Sequence, residues 1–117
     1  MDILLTNNPE CGGYFGKIYR VEYMDAPPLV VLTRARDMVH LGHGLLTHPL
    51  AGGLPPGSHP YRSVVLTAAD GAPCAKSIGI IESAVEIYTK APNVAFSAEH
   101  LKEYAALDLK LIKGGNL

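Results

Sequence analysis

Tryptophan is absent, and only two of the 117 residues are cysteine, Cys11 and Cys74. They are far apart and neither sits in a C-x-x-C pair, which excludes a structural zinc knuckle and leaves no spacing from which to infer a disulfide. Two reduced thiols of a cytoplasmic protein are the simplest reading. No apolar run approaches the roughly 20 residues of a membrane span. The opening Met1-Asp2-Ile3-Leu4-Leu5-Thr6 has neither the positive leader nor the long apolar region of a secretory signal. Neither a membrane partner nor export is expected. Charge of one sign is also scarce: the formal net charge is -1, without the basic footprint of a nucleic-acid binder, so no nucleic-acid partner is expected.

Catalytic signatures are missing as well. Gly12-Gly13-Tyr14-Phe15-Gly16 is glycine-rich but has neither G-x-G-x-x-G spacing nor the Lys-Ser/Thr of a phosphate loop. No G-x-S-x-G occurs, and no histidine can be assigned to either cysteine as a catalytic partner. No cofactor and no catalytic residue is therefore expected. At 48% apolar the chain is too hydrophobic for disorder, and its length suits one α/β domain over residues 1–117.

Residues 2–6 form a short apolar run closed by Asn7-Asn8-Pro9, the pattern of a strand buried on both faces. Residues 17–23 alternate polar and apolar positions, which predicts a second, half-buried strand. Asp25 is placed to cap a helix with Pro27 and Pro28 in its first turn, a stripe at Val31, Ala35, Met38 and Val39, and an end at Gly42. Its opening Leu29-Val30-Val31-Leu32 would also satisfy a strand, because β-branched residues are stiff in helices. Short apolar segments at residues 44–50 and 62–67 predict strands three and four, separated by a Gly- and Pro-rich loop at 51–60. Residues 76–91 predict a wide-faced helix stopped by Pro92. Ser97 then caps a last helix with a stripe through Leu101, Tyr104, Ala105, Leu109 and Ile112. The expected fold is a two- or three-layer α/β domain with a mainly parallel sheet of about four strands and about three helices.

Leu4-Leu5-Thr6, Leu45-Leu46-Thr47 and Val65-Leu66-Thr67 each place a threonine where an apolar strand gives way to a loop. If these strands were parallel neighbours, their trailing loops would share the edge where open α/β sheets bind ligands. That edge would carry Asn7, Asn8, Thr47, His48, Gly52 and Gly53, with Tyr61 and Arg62 able to reach an anion. These residues are the candidate ligand-binding set, for a small polar or anionic metabolite. The same residue types also end strands and make turns everywhere. Residues 40–48 hold three of the five histidines, and His40, His43 and His48 form an alternative metal set, though without a carboxylate in register or an H-E-x-x-H motif.

The stretch from Arg36-Asp37 through His40, Gly42, His43 and Leu45-Leu46-Thr47-His48-Pro49-Leu50 to Pro60-Tyr61-Arg62, with Thr6-Asn7-Asn8-Pro9, resembles the GrdX family. Its members are small proteins encoded beside the glycine, sarcosine and betaine reductases of anaerobic bacteria. The resemblance implies a pathway and reductase subunits as partners; it transfers no catalytic residue, and Cys11 lies in a part that does not match. The leading expectation is a non-enzymatic accessory protein binding a small polar ligand or partner subunit at the sheet edge. A metal-dependent enzyme is the first alternative. The second is a homo-oligomer paired through Tyr104, Leu107, Leu109, Leu111 and Ile112 of the last helix.

Overall fold

The computed structural model describes residues 1–51, 57, 59–91 and 96–114. Three strands, β1 (Ile3–Thr6), β2 (Arg20–Tyr23) and β3 (Ser63–Leu66), form a sheet in the order β2-β1-β3. Four helices surround it: α1 (Cys11–Phe15), α2 (Pro28–His40), α3 (Ala75–Thr89) and α4 (Ala98–Gly114).

All four side chains of β1 and of β3 are buried, so both strands need cover on two faces. Because side chains alternate along a strand, Ile3 and Leu5 join Val64 and Leu66 on one face, against Val31, Leu32, Ala35, Met38 and Val39 of α2 and Ile81, Ala84 and Val85 of α3. Leu4 and Val65 point the other way, toward Cys11 and Phe15 of α1 and Ile112 of α4. The result is a three-layer α/β/α sandwich with two cores.

The expected sheet needs correcting in strand count and direction. β1 and β2 are parallel, with Ile3 opposite Arg20, but β1 and β3 are antiparallel, with Thr6 opposite Ser63. The expected third strand at 44–50 is reduced to a single bridge, Leu45 with Leu66, flanked by Leu46 N–H to Val65 O at 2.8 Å and Thr67 N–H to Gly44 O at 2.9 Å. That segment runs antiparallel to β3 and therefore in the same direction as β1. It ends with Thr47 at the rim where Arg62 leads into β3, and there the Arg62 guanidinium donates to the Ala51 carbonyl at 2.7 Å. A strand that starts at the rim where its predecessor ended must be antiparallel to it.

Among the described residues the helix count also rises, to four. α1 is not among the expected elements, since Gly12 and Gly13 each disfavour a helix by about 1 kcal/mol; burial of Cys11 and Phe15 decides the matter. In α2 the ambiguous Leu29–Leu32 run is helical, with Val31 and Leu32 fully buried. Its cap position is Pro27, not Asp25, and no side chain caps it. At its other end Gly42, at φ 106°, closes a Schellman turn: His43 N–H donates to Met38 O and Gly42 N–H to Val39 O, both at 3.1 Å. A Cβ on Gly42 would sit 2.5 Å from the Gly71 carbonyl oxygen, so no other residue fits there. α3 ends at Thr89, and Pro92 lies outside the described residues. Ser97 precedes α4, its hydroxyl bonded to the His100 ring at 2.8 Å.

Candidate functional site

Strand directions gather one set of residues at one rim. β1 ends there with Thr6, β2 with Tyr23 and the bridging segment with Thr47, and β3 begins there with Arg62 and Ser63. Thr67, the third threonine of the sequence pattern, lies at the opposite rim, because β3 runs the other way.

The rim side chains engage the protein itself. Asn7 donates through Nδ2 to Ala26 O at 2.8 Å and Pro60 O at 2.9 Å, and its Oδ1 accepts from Arg62 N–H at 2.9 Å. Thr47 Oγ1 accepts from Val65 N–H at 3.0 Å, replacing a ladder bond where the bridge ends. His48, exposed, accepts from Leu50 N–H through Nδ1 at 3.0 Å. Buried Arg62 donates through Nε to the Tyr88 hydroxyl, with its guanidinium carbon 5.6 Å from the Tyr88 ring centre. Tyr61 N–H donates to His59 Nδ1 at 3.1 Å. Gly52 and Gly53 lie outside the described residues. The other histidines diverge: His40 pairs with Glu82 at 2.9 Å, and His43 Nδ1 meets Thr67 O at 2.8 Å on the opposite rim. Among the described residues no group of three or more His, Cys, Asp or Glu could hold a metal ion.

At the same rim a cleft of about 320 Å³ opens between the start of α2 (Pro27, Pro28, Leu29) and the end of α3 (Tyr88, Thr89), with His59, Pro60 and Phe96 also in its lining. Asn7 is the clasp of this cleft: the Ala26 carbonyl it holds leads into Pro27, and the Pro60 carbonyl belongs to the facing wall. His59 is 3% exposed, its ring edge-on to Tyr104 at 4.9 Å. Since Nδ1 accepts from Tyr61, the ring proton of the neutral form sits on Nε2, which is buried and has no partner within hydrogen-bond geometry among the described residues. Burial pulls the His59 pKa below its ordinary value; Arg62 adds to the shift, and the carboxylate of Asp108 opposes it.

Behind the rim lies a buried polar cluster around Asp108 of α4. Its Oδ2 accepts from Ser63 Oγ at 2.7 Å, Asn8 Nδ2 at 3.0 Å and the Cys11 thiol at 3.8 Å. Ser63 Oγ also meets Thr6 Oγ1 at 2.7 Å, and Asn8 Nδ2 reaches Ala105 O at 2.8 Å. Burial, aided by the Asp108 charge, pushes the Cys11 thiol up to about 11, so it is protonated and unreactive near neutral pH. Sequence reasoning missed Asp108, although a signal existed: it sits at helical spacing from Tyr104, Ala105 and Ile112, a carboxylate inside an apolar stripe.

Against known proteins, the family model described as GrdX-like protein matches residues 3–115. The chain belongs to the GrdX-like family. No curated protein and no solved structure matches it. In this GrdX-like chain no helix of the described residues is long and apolar enough to cross a membrane. What the arrangement offers chemically is a small concave surface with an apolar lining, one buried imidazole and one helix-end hydroxyl, walled by elements that Asn7 ties together. Small-ligand sites have this character of apolar walls with a few placed polar groups.

Proposed function

We propose that this GrdX-like protein is a non-catalytic accessory component of glycine, sarcosine or betaine reductase metabolism, acting in the cytoplasm, and that the rim cleft holds a small polar metabolite of that metabolism. The observation that carries the reading is the cleft itself, clasped by Asn7 and closed on one side by His59 and Pro60. Its volume is at the small end of ligand sites, which favours a molecule of amino-acid size. Apolar and aromatic walls favour N-methyl groups on an ammonium over a bare one. The expected order of affinity is therefore betaine, then sarcosine, then glycine.

Titration of these three compounds and acetyl phosphate into the pure protein, followed by calorimetry or amide chemical shifts, tests the reading. Shifts should concentrate at Leu29, His59 and Thr89, and Thr89→Trp should block binding while leaving the thermal transition in place. The same rim could serve a reductase subunit, read by pull-down with purified subunits. Failure of both ligand binding and subunit capture would remove the proposal. The metal-enzyme alternative has less support, since His40, His43 and His48 each turn to a different partner; protein purified without a histidine tag should carry less than stoichiometric metal.

A further inference from the structure

We propose that the outer edge of β2 is a homodimer surface, on which two copies pair their β2 strands antiparallel to make one continuous six-stranded sheet. β2 is the terminal strand of the sheet, and no described strand pairs with its far side. Arg20 N–H donates to Asp2 O and Met24 N–H to Thr6 O, so this set of alternate residues faces β1. By the alternation of a strand, the N–H and C=O of Val21 and Tyr23 face outward.

The occupant follows from what the edge presents. Place a two-fold axis at Val21, and Val21 meets its own copy as a hydrogen-bonded pair that exchanges two N–H···O bonds. On the next rungs Arg20 then stands opposite Glu22 of the second copy, and Glu22 opposite its Arg20, in non-hydrogen-bonded pairs where side chains approach most closely. Beyond these rungs the ladder stops, because the N–H groups of Ile18 and Tyr19 turn back to Phe15 O, both at 2.9 Å. Each rung thus joins like with like or opposite charges. Such self-complementarity is what an isologous interface needs. Arg20 is exposed and forms no ion pair among the described residues, whereas Glu22 is already turned toward Arg34 at 3.2 Å and would sit between two guanidinium groups. Tyr23, at the end of β2, is 49% exposed, an apolar cost that pairing would relieve. Natural edge strands are guarded by proline, bulges or repelling charges, and β2 has no proline and carries charges that attract their own copy.

Sedimentation equilibrium on the full chain over a concentration series should show a monomer–dimer equilibrium that weakens with added salt. Because β2 is only four residues long, micromolar rather than nanomolar affinity is expected. Arg20→Glu and Glu22→Arg each set two like-charge pairs across the axis and should weaken the dimer about tenfold, and the double swap R20E/E22R should restore it. Val21→Pro removes the two central bonds but none to β1, so the dimer should be lost while circular dichroism and the thermal transition are kept. A monomer at every concentration overturns the proposal. So does a dimer that all these variants leave intact, which would point to another surface such as Leu107 on α4, and so does a failure of the double swap to restore what the single swaps break.

Discussion

The two faces of the sheet are built differently. Between the sheet and α2 with α3 the contact is a continuous apolar cluster of 14 buried residues. Toward α1 and α4 the apolar cluster has five, and beside it lies the Asp108 cluster with Thr6, Asn8, Cys11 and Ser63. Apolar contact is non-directional and tolerates sliding, whereas a carboxylate receiving three donors fits in one register. The first face should therefore set how stable the domain is, and the second should set where α4 sits.

The sharpest way to break the contrast is to remove packing from the first face. Leu5→Ala, at a fully buried site, should cost about 2–5 kcal/mol and lower the urea midpoint for every probe together. Asp108→Ala should cost less, about 1–3 kcal/mol, by removing the acceptor that Ser63, Asn8 and Cys11 share. Its signature should be local: amide exchange should quicken along α4 while α2 and α3 keep their protection. Uniform loss of protection in D108A would show that the two faces form one cooperative unit and that the division of roles is wrong.

Cys11 gives the polar face a pH signature. Its thiol ionises near 9.0 in the unfolded chain and at about 11 when folded. Its contribution is complete below pH 9; between the two values the unfolded state loses the proton and the folded state holds it, so stability falls as pH rises. The full loss is about 2–3 kcal/mol at 1.36 kcal/mol per unit. Cys11→Ala should flatten that alkaline slope. In the native protein Cys74, exposed and with its pKa lowered by hydrogen bonds at the start of α3, should alkylate first, and Cys11 only on unfolding. Equal labelling rates for the two thiols would contradict the buried cluster.

These contrasts also mark what the residues alone could reveal. The strongly periodic helices and the apolar strands β1 and β3 were legible, because burial pattern and local propensity agree at Leu4, Val31, Val65 and Ile81. Strand direction was not: it depends on the rim at which β3 begins, which shows only in the antiparallel pairing of Thr6 with Ser63. α1 was hidden because its glycines argue against a helix that tertiary burial enforces. The rim residues Asn7, Asn8, Thr47 and Arg62 could be named in advance as strand-end polar groups, but not their distant partners, which for Asn8 and Asp108 lie 100 positions apart. His59, placed beforehand only in a loop, became interesting through its burial.

The smallest effect, and the one that best separates rim from core, belongs to His59. Burial lowers its folded pKa below the ordinary 6.5, so the folded ring resists protonation that the unfolded chain accepts. Its contribution is present above pH 6.5 and is lost as pH falls toward the folded pKa, which predicts an acid-side decline in stability. His59→Phe keeps an aromatic ring against Tyr104 and removes a buried Nε2 that has no partner among the described residues, but gives up the acceptor for Tyr61 N–H. Those changes oppose one another, so at pH 7 the variant should lie within about 1 kcal/mol of the parent, while the slope below pH 6.5 should shrink. Thermal midpoints measured from pH 5 to 8 decide it. An unchanged acid slope would mean that the buried ring is not what senses the proton.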